Sequence, residues 1–269
     1  MYIVIPILIF GVTGIACGGL LAIAARFFAV QEDPRIEALI ALLPGANCGA
    51  CGFPSCGEYA RAILRNDVPI NLCRRGGEAT LSKLAAYLNV AATVSECQTA
   101  IVLCQGDDTK AIRKAIYNGI ADCSAAEFAE GGSKACRYGC LGLGSCARVC
   151  PVGAIEITAG NLAVVHSDIC IGCGQCVAAC PRHLIKIVPA ARTIHILCAS
   201  KDRGPAVRKI CSVGCIACTL CVKKVNNQGI TMEGALAVVD YTVPLEDEAV
   251  IAVCPRKTII KLPARKDKA

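Results

Sequence analysis

The chain opens with a long apolar segment. Met1 to Ala25 contains no charged side chain, and Arg26 is the first charged residue. About 20 apolar residues cross a bilayer as one helix, so the pattern predicts an N-terminal transmembrane anchor. No positive charge precedes the apolar run, as it would in a cleavable signal peptide. Because Arg26 and Arg35 follow the run, the positive-inside rule predicts a single pass with the N-terminus outside and the rest in the cytoplasm.

Helical periodicity follows this segment and later gives way to strand patterns. Four segments are predicted to be helical: Arg35–Leu43, Glu58–Arg65, Leu81–Leu88 and Asp108–Tyr117. From Cys136 onward, short β-type runs predict four strands: Ala154–Thr158, Leu162–His166, Ile185–Val188 and Leu236–Asp240. The pattern favours an α+β protein whose helical part lies nearer the anchor.

A short motif repeats three times in the second half of the chain. Each copy is a Cys-Pro pair with an isoleucine four residues after the proline. The copies are Cys150-Pro151 with Ile155, Cys180-Pro181 with Ile185, and Cys254-Pro255 with Ile259. This repetition predicts a small unit used more than once.

The number and spacing of the cysteines are the most informative feature of the sequence. The chain of 269 residues contains 22 cysteines. In a secreted protein this content would indicate disulfides, but here the cysteines fall in C-x2-C runs that end in Cys-Pro. Cysteines so close in sequence are poorly placed to pair with each other and well placed to hold one inorganic group. Free thiolates, and iron–sulfur clusters of low reduction potential if the cysteines hold them, also favour a reducing compartment.

The formal net charge of +7 counts every cysteine as neutral. A [4Fe–4S] cluster with its four thiolates carries about −2, so about four clusters would offset the basic surplus. No basic stripe with interleaved aromatic residues supports nucleic-acid binding. The basic C-terminus indicates either a solvated tail or a surface for anionic membrane lipid or an acidic redox partner. Its residues are Arg256, Lys257, Lys261, Arg265, Lys266 and Lys268.

The strongest motif is a bacterial ferredoxin loop, Cys170-x2-Cys173-x2-Cys176-x3-Cys180-Pro181. A stretched version precedes it, Cys136-x3-Cys140-x5-Cys146-x3-Cys150-Pro151. In two-cluster ferredoxins the cysteine before the proline ligates the other cluster. This rule predicts one [4Fe–4S] set of Cys136, Cys140, Cys146 and Cys180, and a second of Cys150, Cys170, Cys173 and Cys176. A zinc site needs only four ligands and would leave half of these cysteines idle.

A separate group of cysteines lies nearer the anchor. It consists of Cys48-x2-Cys51-x4-Cys56 and of Cys73, which follows Cys56 after sixteen intervening residues. Four cysteines with no fifth nearby predict one [4Fe–4S] cluster in a small, turn-rich helical domain. Tetrahedral zinc is the alternative, because four thiolates satisfy either metal.

The C-terminal cysteines form an incomplete pair of ferredoxin loops. Cys215-x2-Cys218-x2-Cys221 begins like a full loop, and Cys254 precedes the last proline of the repeat. Val225, Pro244, Asp247 and Val250 occupy the positions where the missing cysteines would stand. All the missing positions belong to one cluster, so Cys215, Cys218, Cys221 and Cys254 are predicted to hold one cluster beside a protein-filled second lobe. Cys211 also has ligand spacing to Cys215 and Cys221, and whether it replaces Cys218 stays open.

These sets account for sixteen cysteines and leave Cys17, Cys97, Cys104, Cys123, Cys198 and Cys211. Buried free cysteine behaves as a small hydrophobe, which is the role expected for them. An additional site built from Cys97, Cys104 and Cys123 is the less favoured alternative. No nucleophile–base arrangement, P-loop or dinucleotide fingerprint is present, so no catalytic residue is predicted.

The order of these parts resembles the B subunits of Rnf-type (Rsx) ion-translocating electron transport complexes. The likeness rests on the anchor, on Leu43–Cys56 (LPGANCGACGFPSC) and on Cys136–Cys146 (CRYGCLGLGSC). It implies an electron-relay subunit on the cytoplasmic face of an inner-membrane translocase that exchanges electrons between ferredoxin and NAD and moves Na+ or H+. Other subunits and soluble ferredoxin are the implied partners, and NAD and flavin chemistry would belong to other subunits.

Two alternatives accompany this resemblance. One is the electron-transfer subunit of another membrane oxidoreductase, such as a formate or hydrogen enzyme. The other is a membrane-bound redox or metal sensor with structural zinc.

The motifs divide the chain into a transmembrane anchor (1–26), a single-cluster domain with a linker (27–94), a helical connector (95–130), a two-cluster ferredoxin-like domain (131–197) and a degenerate ferredoxin-like domain with one cluster (198–269).

Overall fold

The N-terminal helix stands apart from the rest of the protein. The computed structural model describes residues 4–28, 33–92, 96–226 and 228–264. Helix α1 spans Val4–Phe27, and its apolar side chains are exposed, Phe10 to 77% and Ile15 to 79%. Within it, Ile7–Phe27 has a mean hydropathy of 2.3 and is long and apolar enough to cross a membrane.

Three helices and a short 3₁₀ turn form the next part of the fold. They are α2 (Pro34–Leu42), α3 (Cys56–Leu64), the turn Ile70–Leu72 and α4 (Gly77–Leu88). Asp33 and Ser55 cap α2 and α3, because their side-chain oxygens accept backbone N–H groups of the first turn. The helices predicted here are confirmed, with α4 beginning four residues early. The sequence predicts a linker that begins at residues 31–34. Residues 31 and 32 lie outside the described residues, whereas Asp33 and Pro34 are the cap and the first residue of α2.

The side chain of Tyr59 holds the segment between α3 and Cys73 in place. It is 1% exposed in a core with Leu39, Ile63 and Leu84. Its hydroxyl donates to the Pro69 carbonyl (3.0 Å) and accepts from the Leu72 N–H (3.2 Å). These bonds tie the segment before Cys73 to α3, which carries Cys56 at its first position.

The remainder of the chain forms two lobes with equivalent parts. Each lobe has one hairpin, one pair of strands distant in sequence and two short helices beside the cysteine loops. The first lobe contains β1 (Gln98–Val102), α6 (Ser145–Arg148), β2 (Ile155–Ile157), β3 (Ala163–Val165), α7 (Gln175–Ala179) and β4 (Ile185–Pro189). The second contains β5 (Ile194–Ile196), α9 (Leu220–Lys224), β6 (Ile230–Glu233), β7 (Leu236–Val239), α10 (Ala249–Val253) and β8 (Ile259–Lys261). Two more helices, α5 (Cys123–Phe128) and α8 (Gly204–Ile210), lie outside these sets.

All strand pairs among the described residues are antiparallel. The hairpins are β2–β3, which places Ile155 opposite Val165, and β6–β7, which places Ile230 opposite Val239. The distant pairs are β1–β4 and β5–β8. The four predicted strands are confirmed as β2, β3, β4 and β7. Buried side chains of the strands, such as those of Ile185 and Ile230, fill the two cores between strands and cysteine loops.

The helix predicted over Asp108–Tyr117 is wrong. The Asp107 side chain accepts the N–H groups of Thr109 and Lys110 and closes a local turn instead. The Ile112 N–H then donates to the Ile210 carbonyl (2.9 Å), so the backbone bonds to distant segments. A side chain that satisfies the backbone locally competes with helix formation, which periodicity alone does not reveal.

The helical connector predicted over 95–130 is also wrong in part. It contains strand β1, which pairs with β4 of the following segment, while α5 is its one helix among the described residues. Likewise β5 pairs with β8, although the sequence placed it with the preceding ferredoxin-like segment. The predicted boundary at 94 falls on residues 93–95, outside the described residues.

Two glycines of the ferredoxin loop offer a matched test of this packing. Gly172 and Gly174 both have positive φ (63° and 80°). A Cβ on Gly172 would lie 2.7 Å from the Gln98 carbonyl oxygen at the start of β1, whereas a Cβ on Gly174 meets nothing within 4 Å. We expect Gly174→Ala to cost about 1–2 kcal/mol of unfolding free energy and Gly172→Ala about 2–5 kcal/mol. Chemical unfolding of anaerobic protein measures both, and equal losses would contradict the close approach.

Candidate metal centres

The cysteines nearest the anchor come together as predicted. Cys48 and Cys51 lie in the loop after α2, Cys56 begins α3, and Cys73 follows the 3₁₀ turn. The Asn47 side-chain oxygen accepts the Cys56 N–H (2.8 Å) and closes the loop. Burial raises the pKa of Cys73, and the charges of the other three thiolates raise it further. The loop after α2, the start of α3 and the segment after the 3₁₀ turn therefore bring four thiols close together.

The second predicted set of the ferredoxin loops is also assembled. Burial raises the pKa of Cys176, and the neighbouring thiolates of Cys170, Cys173 and Cys150 raise it further. The Cys170 sulfur accepts the N–H groups of Ala100 and Gly172, each at 3.4 Å. Strand β1 thus contributes to this site, although no cysteine motif marks it in the sequence.

The other predicted set differs from the structure in one member. The cavity lined by Cys140, Cys146 and Cys180 has Cys123 as its fourth thiol, where the sequence predicted Cys136. The Ser145 hydroxyl accepts the Cys123 N–H (2.8 Å) and donates to Asp122 (2.8 Å), which joins the start of α5 to that of α6. Burial raises the pKa of Cys146, and the charges of Cys140, Cys123 and Cys180 add to this. Sequence spacing missed Cys123 because a distant serine brings it to the site.

Cys136 lies on the wall of a separate cavity. Its companions there are Cys104, Cys198 and Cys211. Burial raises the pKa of the Cys104, Cys136 and Cys198 thiols. The alternative site of Cys97, Cys104 and Cys123 is not assembled, because these three cysteines line three different cavities. Cys97 is exposed, so the buried role expected for it is wrong. Cys17 is exposed on α1, in the segment that is long and apolar enough to cross a membrane.

The C-terminal cysteines form a fourth set. Cys215, Cys218, Cys221 and Cys254 line one cavity, and Cys211 lies on the other cavity, so the geometry favours Cys218 as the ligand. Ala217 and Thr219 hold left-handed backbone (φ 56° and 61°) where the first lobe has Gly172 and Gly174. Such strain persists at functional sites when the surroundings enforce it.

The second cluster position of this lobe is filled by protein. Val250 is fully buried in the apolar core, and Val225 packs against the same core. These are two of the residues that replace the missing cysteines. Apolar side chains therefore occupy two of the four positions at which the cysteines are missing.

The three Cys-Pro repeats share one hydrogen bond. In each, the cysteine sulfur accepts the N–H of the residue four positions later: Ala154 to Cys150 (3.2 Å), Leu184 to Cys180 (3.5 Å) and Thr258 to Cys254 (3.4 Å). Amide hydrogen bonds to sulfur stabilise thiolates and tune the potential of a cluster.

On the wall of the C-terminal cavity, the buried Arg256 Nε–H has no protein partner among the described residues and fits an acceptor such as a cluster sulfide.

Thiol sets around cavities, with amides directed at their sulfurs, define an iron–sulfur protein. In the part of the chain that the structure describes, no three His, Cys, Asp or Glu side chains converge on a single metal ion. Three of the thiol groups instead line separate cavities that are partly open to solvent. Two family models match the chain, one for an Fe–S cluster over residues 43–75 and one for the LdpA Fe-S cluster-binding domain over residues 144–191.

Similar proteins identify the family. The chain is 39% identical over 260 residues to the B subunit of the "Proton-translocating ferredoxin:NAD(+) oxidoreductase complex" of Clostridium ljungdahlii, covering 96% of this chain and 92% of the relative. It is 37% identical to the B subunit of the "Ion-translocating oxidoreductase complex" of Methanosarcina acetivorans (91% and 93%). It is 40% identical to that of the "Na(+)-translocating ferredoxin:NAD(+) oxidoreductase complex" of Acetobacterium woodii (96% and 77%). The chain belongs to the family of B subunits of ion-translocating oxidoreductase complexes.

Proposed function

We propose that this chain is the iron–sulfur electron-relay subunit of a membrane-bound complex that couples electron transfer between ferredoxin and NAD to translocation of Na+ or H+. The observation that carries the proposal is the succession of thiol sets along one protein. Gln175 beside Cys176 donates to the Cys48 carbonyl (3.0 Å), which joins the set nearest the anchor to the first lobe. The Cys146 thiolate acts on the pKa of Cys176, so the two sets of that lobe are also neighbours.

Four [4Fe–4S] ligand sets follow from this arrangement. They are Cys48, Cys51, Cys56 and Cys73; Cys123, Cys140, Cys146 and Cys180; Cys150, Cys170, Cys173 and Cys176; and Cys215, Cys218, Cys221 and Cys254. When bound, the clusters supply one-electron chemistry. The chain's own residues hold the thiolates in place, direct amides at the sulfurs and limit solvent access. The two lobes would then be tandem ferredoxin-like domains, the second with one filled position.

Helix α1 would anchor the protein in the inner membrane in a single pass, with the N-terminus outside. Arg26 in its last turn supports a cytoplasmic location for the cysteine-rich part. At the other end of the chain Cys218 is exposed, so the C-terminal set lies where soluble ferredoxin could approach. Other subunits of the complex would contact the remaining surface.

Two basic residues of the C-terminus, Arg256 and Lys261, are engaged within the protein. Lys261 pairs with Glu248 (2.5 Å), and Arg256 donates to the Cys211 carbonyl (2.5 Å). Arg265, Lys266 and Lys268 lie outside the described residues. We therefore place the membrane contact of this protein mainly on α1.

A serine variant tests the relay. Cys173→Ser removes a thiolate from a set between the anchor and the second lobe. In the purified complex we expect electron transfer from reduced ferredoxin to NAD to fall by more than about tenfold, because a missing relay cofactor breaks the path. The rate is measured anaerobically by NADH formation.

Cys17→Ser is the matched control, since Cys17 is exposed on α1 and belongs to none of the sets. Its rate should equal that of the unchanged complex, and both variants should retain the partner subunits. A Cys173→Ser complex that transfers electrons at the full rate would refute the relay role.

A further inference from the structure

Four cysteines line one cavity: three that the sequence left outside the predicted sets, and Cys136, which the sequence placed in a different set. We propose that Cys104, Cys136, Cys198 and Cys211 hold a fifth [4Fe–4S] cluster; the choice of cluster type rests on the proposed function. They come from four separate segments, and their spacing resembles no ferredoxin loop, so only the folded chain reveals the set. No His, Asp or Glu is among the described residues that line this cavity, and four thiols suit an iron–sulfur cluster.

Glycines leave room beside these sulfurs. A Cβ on Gly106 would lie 3.6 Å from the Cys211 sulfur and 3.7 Å from the Cys104 sulfur, so both sulfurs border the same point. A Cβ on Gly139 would lie 3.6 Å from the Cys136 sulfur. Glycine at such positions lets the backbone approach a bound group closely.

Amides approach two of these sulfurs as they approach a ligand of the ferredoxin loop. The Cys170 sulfur accepts the N–H of Gly172, two residues later, at 3.4 Å. Cys104 accepts the Gly106 N–H in the same way (3.4 Å), and Cys198 accepts that of Ser200 (3.5 Å). The backbone after Cys104 and Cys198 therefore makes the same amide-to-sulfur bond as the backbone after Cys170.

A buried lysine supplies positive charge to the same cavity. Lys134 is 1% exposed, and its ammonium donates to the carbonyls of Gly106 (2.8 Å) and Asn161 (2.9 Å). The Asp108 carboxylate lies 4.0 Å away and also pairs with Arg113. A buried cation needs opposite charge nearby, and a [4Fe–4S] cluster with four thiolates brings a net charge of about −2.

The site lies between two of the sets already described. The Cys104 sulfur accepts the N–H of Cys140 (3.4 Å), a ligand of the first lobe. On the other side, the Cys198 sulfur accepts the N–H of Cys215 (3.4 Å), a ligand of the second lobe. A cluster here would connect the lobes, receiving one electron from one neighbour and passing one electron to the other. The C-terminal set would then join the same path as the other sets.

Iron and sulfide content tests the proposal. Anaerobically purified, cluster-reconstituted protein should contain about twenty iron and twenty sulfide per chain, against about sixteen of each for four clusters. Cys198→Ser, prepared side by side, should contain about four iron fewer than the unchanged protein. Cys97→Ser is the control, because Cys97 is exposed and outside all five sets; its content should not change.

The outcomes separate this proposal from the proposed function. If the unchanged protein contains about sixteen iron atoms per chain and transfers electrons from ferredoxin at the full rate, the fifth cluster is overturned and the proposed function is not. The same holds if each chain contains one zinc ion and about sixteen iron atoms. A protein without iron would overturn both. If reconstitution is incomplete, the difference between Cys198→Ser and Cys97→Ser decides, and equal contents refute the site. If Cys198→Ser does not fold, Cys211→Ser and the content of the unchanged protein decide in the same way.

Discussion

Serine at position 123 is expected to cost the protein about four iron atoms and one cluster signal in its low-temperature EPR spectrum. The reason is that Cys123 completes the cavity of Cys140, Cys146 and Cys180, held there by the bond from its N–H to Ser145. Removing one of four thiolates opens a corner of the site. Iron analysis of anaerobically purified protein measures the loss.

A double variant distinguishes this set from the one that the sequence predicted. Cys123→Ser combined with Cys140→Ser should lose no more iron than either change alone, because both cysteines line one cavity and are proposed to hold one cluster. If Cys136 were the fourth ligand instead, Cys123→Ser alone would leave the iron content unchanged. That result would overturn the assignment made from the structure.

Deletion of residues 1–28 is expected to move the protein from the membrane fraction to the soluble fraction with its iron content intact. Insertion of a transmembrane helix is effectively irreversible, so its removal has a very large effect on membrane attachment. Because the described side chains of α1 are largely exposed, the cores around the cysteine sets do not depend on it. Fractionation after a high-salt wash, with iron analysis of each fraction, measures both parts.

A helix-preserving control separates anchoring from other effects of the deletion. Replacing α1 with an unrelated transmembrane helix should restore attachment and leave the iron content unchanged. If the deleted protein stayed in the membrane fraction after the wash in cells lacking the partner subunits, α1 would not be its anchor.

Local spacing predicted most of the fold and most of the thiol sets. The loop Cys170–Cys180 has its three C-x2-C thiols on one tight turn, so its geometry is contained in the sequence. The hairpin β2–β3 also follows from neighbouring residues. Where bonds between distant segments decide the structure, the predictions were wrong: the Asp108–Tyr117 segment bonds to α8 instead of forming a helix.

Contacts between distant segments also explain why Cys123, and not the predicted Cys136, is the fourth thiol of its set. Cys136 has ferredoxin-like spacing to Cys140 and Cys146, and nothing near Cys123 in the sequence marks it as a ligand. The positions of both depend on contacts across the fold, through Ser145 for Cys123 and through the Arg182 bond to the Cys136 carbonyl (3.0 Å). The sequence alone also leaves open the choice between Cys211 and Cys218, because each of them has ligand spacing to Cys215 and Cys221.

The pairing of β5 with β8 bears on how the protein is synthesised. These strands lie on either side of most of the second lobe, and β8 is the last strand that the structure describes. A nascent chain cannot close this lobe until β8 has been synthesised, because β5 has no partner strand before then. A premature stop codon just before Ile259 would therefore leave the cysteine loops of this lobe exposed to proteases and oxygen, although every cysteine of those loops precedes it.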